Sequence, residues 1–211
     1  MVIPAPSTTL VAPNYVDLTS GTIIHRIHLT AYPATSFNPC AGQPTRFAPI
    51  HDTSGVCVTS IYAGSSFDAA TYETIFHDVP AKAPFKTVPR QDVLIRSHAE
   101  LEVVRQLRLV QLRNPDLLRW KIRRRQLIGS SAKYYPQTAL WAEAIHHQFP
   151  RAEGLIWTSN QCDPDDAIIF FGDRVSPTDF NLTQTRNGST DPSFLADVRS
   201  TGQRSGITIT L

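Results

Sequence analysis

Cysteine is scarce in this chain: Cys40, Cys57 and Cys162 are the only three in 211 residues. An odd count at wide spacing argues against a disulfide framework, and the lack of any CxxC pair argues against a structural zinc site. Three reduced thiols in a reducing compartment are therefore expected. Long apolar runs are missing too, since a membrane span needs roughly 20 consecutive apolar residues. The opening stretch MVIPAPSTTLVAPNYVDL has no basic start and carries three prolines, so it does not read as a secretory signal. Charge of one sign is also absent: 20 Lys and Arg against 18 Asp and Glu give a net charge of +2. That balance calls for no polyanionic partner, and nucleic acid is not expected as one. GxGxxG, GxxxxGK[ST], HExxH and GxSxG are all missing, which removes the sharply defined nucleotide, zinc-protease and hydrolase signatures. What remains is a globular composition, 41% apolar and 18% charged, suited to one cytoplasmic domain with a sizeable core.

The chain divides by texture. Residues 1–20 are rich in Pro, Thr and Ser and read as an arm. GTIIHRIHL (21–29) and GVCVTSIYAG (55–64) read as strands, being rich in β-branched residues. Asp68 is placed to cap a helix from about residue 69 to 78. A further strand is expected within 101–112. NPD (114–116) is a turn, with Asp116 capping a helix through LLRWKIRRRQLI. Another helix is expected over 137–149. EGLIWTS (153–159) and AIIFFG (167–172) read as strands, and the polar stretch after 175 as a short helix and a closing strand. Short strands mixed with several helices point to the α+β class in a single domain.

Two features invite a chemical reading and have plain alternatives. His25 with His28, and His146 with His147, bring no nearby set of acidic ligands; they read as surface or half-buried histidines, and no metal is expected. The run RWKIRRRQ (119–126) is the densest charge in the chain. It reads as one amphipathic helix whose arginines are solvated, in preference to a phosphate-binding stripe.

A looser set of residues sits at strand ends, loop edges and first helical turns, where clefts are built. Arg26 interrupts an apolar strand, Arg46 follows a Pro/Gly loop, and Tyr62 ends a strand. Glu73 lies on the next helix, and Ser159 closes GLIWTS. Arginine forks bind phosphate oxygens, a tyrosine ring stacks on a heterocycle, and a fixed carboxylate stabilises an oxocarbenium-like centre. Each residue also has a structural alternative: snorkelling arginine, core tyrosine, solvated glutamate, turn-capping serine.

In order along the chain, HRIH with Arg26, TRFAPI with Arg46, IYAGSSFDAATYETIFHDV with Tyr62 and Glu73, YYPQTALWAEAIH, and GLIWTSNQCDPDDAIIFFGDRV with Ser159 resemble the RES domain family over about residues 20–175. The resemblance implies a fold like that of ADP-ribosyltransferase toxins. It implies cleavage of the nicotinamide–ribose bond of NAD⁺, with inorganic phosphate or water as acceptor. It also implies a toxin neutralised by an Xre-type antitoxin. On the same ground Glu73, Arg46 and Ser159 are the expected catalytic residues, and Arg26, Arg46, Tyr62, Glu73, Thr138 and Ser159 the expected NAD⁺-binding ones. No cofactor is expected beyond NAD⁺ as substrate. The chain departs from the family in having Thr45-Arg46-Phe47 where many members have Gly-Arg-Trp. The loop from Arg46 to Tyr62 is longer, residues 80–130 carry an insert, and 176–211 form a C-terminal extension. Two alternatives to NAD⁺ degradation are transfer of ADP-ribose to a macromolecule and a non-catalytic interaction module. A homo-oligomer is compatible with the sequence and not specified by it.

Overall fold

The computed structural model describes residues 2–80 and 82–210. Twelve strands are β1 (Tyr15–Leu18), β2 (Ile23–Leu29), β3 (Ile50–His51), β4 (Cys57–Val58), β5 (Ser60–Gly64), β6 (Lys86–Val88), β7 (Arg96–Val103), β8 (Leu107–Gln111), β9 (Gly154–Thr158), β10 (Asp166–Phe171), β11 (Phe180–Asn187) and β12 (Ile207–Ile209). Six α-helices are α1 (Phe67–Tyr72), α2 (Arg90–Leu94), α3 (Asn114–Arg119), α4 (Arg124–Leu127), α5 (Tyr135–Gln148) and α6 (Pro192–Gln203).

Eight strands form one mixed sheet in the order β1-β8-β9-β10-β5-β2-β7-β11. Only β8 and β9 run parallel; the other neighbours are antiparallel. GLIWT and DAIIFF are almost wholly buried because the middle of the sheet is covered on both faces. Alternate residues serve different cores. Leu155, Ile169 and Phe171 pack with Leu127, Trp141 and Ile145 from the helices on one face. Ile156, Ile168 and Phe170 pack with Ile24, Ile61, Leu101 and Leu109 on the other. This second core is built from strand side chains plus two loop residues, Ala34 and Val175, so the sheet curls around its own apolar face as a half-barrel. A third cluster joins Ile27 to Phe76, Phe194 and Val198, and holds α1 and α6 against the β2 end. The result is the expected single α+β domain.

Several local expectations are corrected. The N-terminal arm contributes β1, which pairs with β8 along Tyr15–Leu18. Ser66, not Asp68, caps α1, accepting the Ala69 N–H; Asp68 instead accepts from Thr201 (2.6 Å) on α6. The helix ends at Tyr72, not Asp78. Beyond it the N–H groups of Thr74, Ile75 and Phe76 all converge on the Thr71 carbonyl, and the β-branched pair Thr74-Ile75 disfavours continuing the helix. Arg113 occupies the N-cap of α3, and Asp116, three residues on, accepts from its N–H. The long basic helix is broken into α3 and α4 by Lys121, whose φ is +57°. The polar tail holds an unforeseen eight-residue strand, β11, at the exposed edge of the sheet, where polar side chains face water. Finally, Cys40 and Cys57 are joined as a disulfide, with Cα atoms 6.4 Å apart. The bridge between Asn38 and Ser60 folds the intervening loop back over β4 and brings the two residues together. Cys162 is the buried free thiol.

Candidate functional site

Glu73 is placed by a sequence of local constraints. Gly64 ends β5, and a Cβ there would stand 2.6 Å from the Ala70 nitrogen, so only glycine allows α1 to start this close to the strand. Ser66 caps the helix, and its own hydroxyl donates to Asp165 (2.6 Å) on the loop after β9. Glu73 is the C-cap, with its N–H bonded to the Ala69 carbonyl. It lines a cavity of about 800 Å³.

Arg26, Arg46 and Tyr62 line the same cavity. The Ser159 hydroxyl donates to Glu73 Oε1 at 2.6 Å, short as hydrogen bonds to a carboxylate are. Ser159 also accepts the N–H groups of Cys162 (3.1 Å) and Gln161 (3.3 Å), which fixes its rotamer. It is fully buried and reaches the cavity through Glu73. Thr138 lies apart from the wall. It is buried, and its hydroxyl donates to the Arg46 and Tyr135 carbonyls, so it supports the arginine backbone from behind.

The arginines differ in their freedom. Arg26 donates to the Ala34 carbonyl. Burial alone pulls its pKa down to about 10, with no carboxylate offsetting it, and it stays charged at neutral pH. A half-buried cation without a carboxylate partner among the described residues attracts an anion. Arg46 is 7% exposed, and one of its nitrogens is committed to the Ser130 carbonyl (3.0 Å) and hydroxyl (3.1 Å). The other lies 3.5 Å from the Tyr135 hydroxyl, with the guanidinium 5.2 Å from that ring's centre. Tyr62 accepts the Phe47 N–H (3.1 Å) and shares a bond with the Thr45 hydroxyl (2.9 Å). It pins both neighbours of Arg46 to β5. Burial, only partly offset by these bonds, raises its pKa to about 12, so it acts as a neutral phenol.

The helix start at Tyr135, expected to flank the cleft, is on the wall, while His77, also on it, was not singled out from the sequence. His77 Nε2 lies 2.9 Å from the Tyr135 hydroxyl, and His77 Nδ1 lies 2.9 Å from Asp78. His77 falls four residues after Glu73, a spacing that could have flagged it as a neighbour of the carboxylate. Elsewhere, His25, His98 and Glu100 bring ligand atoms within 4.8 Å of one another. His25 follows the opposite face of β2 from Arg26. Arg186 donates to His98 Nδ1 at 3.2–3.3 Å, so a cation there would meet a guanidinium. His146 is buried against Asp173 (2.9 Å).

The basic run is divided in its use. Arg124 turns inward and donates to the Thr158 and Ser159 carbonyls, both at 3.1 Å, while Lys121, Arg123 and Arg125 are exposed.

Chemically, the cavity can hold a ligand with negative charge near Arg26 and Arg46, and can stabilise positive charge beside Glu73. No curated protein sequence is significantly similar to the chain. Among solved structures, a chain of the M. tuberculosis MbcT–MbcA toxin–antitoxin complex superposes with a TM-score of 0.64 at 13% identity, covering 88% of this chain and 92% of that one. This likeness is one of fold. The sequence itself matches the RES domain over residues 23–186. With most of its length inside that match, including the strands and turns that build the cavity, the chain belongs to the RES domain family.

Proposed function

We propose that this protein degrades NAD⁺ by cleaving the nicotinamide–ribose bond, with phosphate or water as acceptor, and acts as the toxin of a toxin–antitoxin pair. The observation that carries this reading is the meeting of the Glu73–Ser159 pair with Arg26 and Arg46 at one cavity. The two arginines hold the dinucleotide's diphosphate or an incoming phosphate. Glu73, oriented by Ser159, faces the ribose. As the glycosidic bond breaks, the electron pair leaves with nicotinamide and positive charge grows on the sugar. The carboxylate stabilises that charge more than the ground state. Tyr62 packs beside the ring while holding the Arg46 loop.

The inward turn of Arg124 commits the centre of the basic run to the Thr158 and Ser159 carbonyls. This supports a small acceptor over a macromolecule guided by that run. Family membership and the likeness to a toxin–antitoxin complex support an antitoxin partner. Among the described residues no helix is long and apolar enough to cross a membrane. We place the activity in the cytoplasm, where NAD⁺ is available.

The test is incubation of purified protein with NAD⁺, with and without inorganic phosphate, and identification of products by mass. Free nicotinamide with ADP-ribose-1″-phosphate assigns a phosphorylase; nicotinamide with ADP-ribose, insensitive to phosphate, assigns a hydrolase. Intact NAD⁺ after prolonged incubation refutes the reading.

A further inference from the structure

The segment 124–130 connects two groups beside the cavity, the loop that carries Ser159 and the guanidinium of Arg46. From its start, the Arg124 guanidinium reaches the Thr158 and Ser159 carbonyls at 3.1 Å each. From its end, the Ser130 carbonyl and hydroxyl receive Arg46 Nη1 at 3.0 and 3.1 Å, with the Leu127 carbonyl at 3.4 Å. Between these ends the segment is stiff. Gln126 accepts the Arg123 N–H (3.0 Å), the Ile128 and Gly129 N–H groups close on the Arg124 carbonyl, and Leu127 and Ile128 are fully buried in the helix-side core. Gly129 sits against the loop after β9, where an added Cβ would stand 3.5 Å from Asn160 Oδ1.

We propose that Arg124 and Ser130 are positioning residues: the segment between them is a brace that sets the distance between Ser159, with Glu73 on its hydroxyl, and Arg46. This rests on the NAD⁺ reading for its kinetic consequence, not for its geometry. Arg124 holds the carbonyl of the residue whose hydroxyl orients Glu73. Losing it lets the Ser159 loop drift while the substrate's diphosphate stays anchored, and misplacement by about 1 Å costs on the order of a hundredfold in a positioned reaction. Ser130 acts at the other end, on the anchoring arginine. One basic run thus holds a buried carbonyl through one arginine and keeps its neighbours in water.

The test uses the full chain with Arg124→Gln, Arg124→Lys and Ser130→Ala, and measures kcat and KM for nicotinamide release together with hydrogen–deuterium exchange over residues 158–166. Arg124→Gln is expected to lower kcat by about tenfold or more with KM within about threefold. Arg124→Lys should recover part of the loss, and Ser130→Ala should act chiefly on KM. Exchange at the Gln161 and Cys162 amides, which are bonded to Ser159, should quicken in Arg124→Gln without a matching fall in melting temperature. Unchanged kcat, or a loss that only tracks the folded fraction, overturns the proposal. If the wild-type protein leaves NAD⁺ intact, the functional reading fails while the exchange measurement still decides the brace: unchanged exchange over 158–166 refutes it.

Discussion

Replacing Glu73 by Gln changes one charge and little else. The side chain keeps its shape, and its amide oxygen can still accept from Ser159, now 2.6 Å from Oε1. The packing that carries it, from the Ser66 cap to the buried Ala69, Ala70 and Tyr72, is untouched. Stability should therefore move little. The rate should fall, because a carboxylate aimed at developing positive charge acts chiefly in the transition state. Loss of one such electrostatic contributor costs about 2.7–4 kcal/mol, a hundred- to a thousandfold in kcat. KM for NAD⁺ should change far less, since Arg26 and Arg46 remain. Nicotinamide release at saturating NAD⁺, alongside thermal melting, reads both quantities. Turnover within threefold of wild type in a folded Glu73→Gln protein would remove Glu73 from the chemistry.

Arg26→Gln should do the converse, raising KM for NAD⁺ by tenfold or more, the scale of one charge-assisted contact of about 1.5–3 kcal/mol, while the folded protein keeps a measurable kcat; unchanged KM would contradict its place at the diphosphate. Acid should destabilise the fold. Burial, with Arg186 beside it, holds His98 near a pKa of about 3, and burial lowers His25, His28 and His146 too. The unfolded chain then binds more protons below about 6.5, so stability is full above that pH and falls by up to about 1.4 kcal/mol per pH unit for His98 as pH drops toward 3. Melting temperatures at pH 7.5 and 5 check the sign, and a higher value at pH 5 would contradict it. Titration of thiols in denatured, unreduced protein prepared in air should find one, Cys162, and after reduction three; three before reduction would show the bridge absent.

The parts of the fold legible in the sequence are those where one local force dominates. β9 and β10 are apolar runs bounded by turn residues, and α5 is a long helix whose observed start lies two residues before the expected one. The break between α3 and α4 was hidden because it depends on a left-handed Lys121, a residue with no turn signature. β11 was hidden because an edge strand needs no apolar face. At the candidate site, the residue types and their order were legible through the family resemblance. The contact between Glu73 and Ser159, 86 residues apart, was not, nor was the use of Arg124, since nothing in RWKIRRRQ marks one arginine as turned inward. Thr138 was expected among ligand contacts and serves one layer behind them, where its hydroxyl holds Arg46 in place.

The most direct measurement is a crystal structure of the Glu73→Gln protein with NAD⁺ bound. The ribose carbon bearing nicotinamide should lie against residue 73 and the diphosphate between Arg26 and Arg46. A dinucleotide seated elsewhere on the surface, leaving that cavity empty, would contradict the assignment of the site.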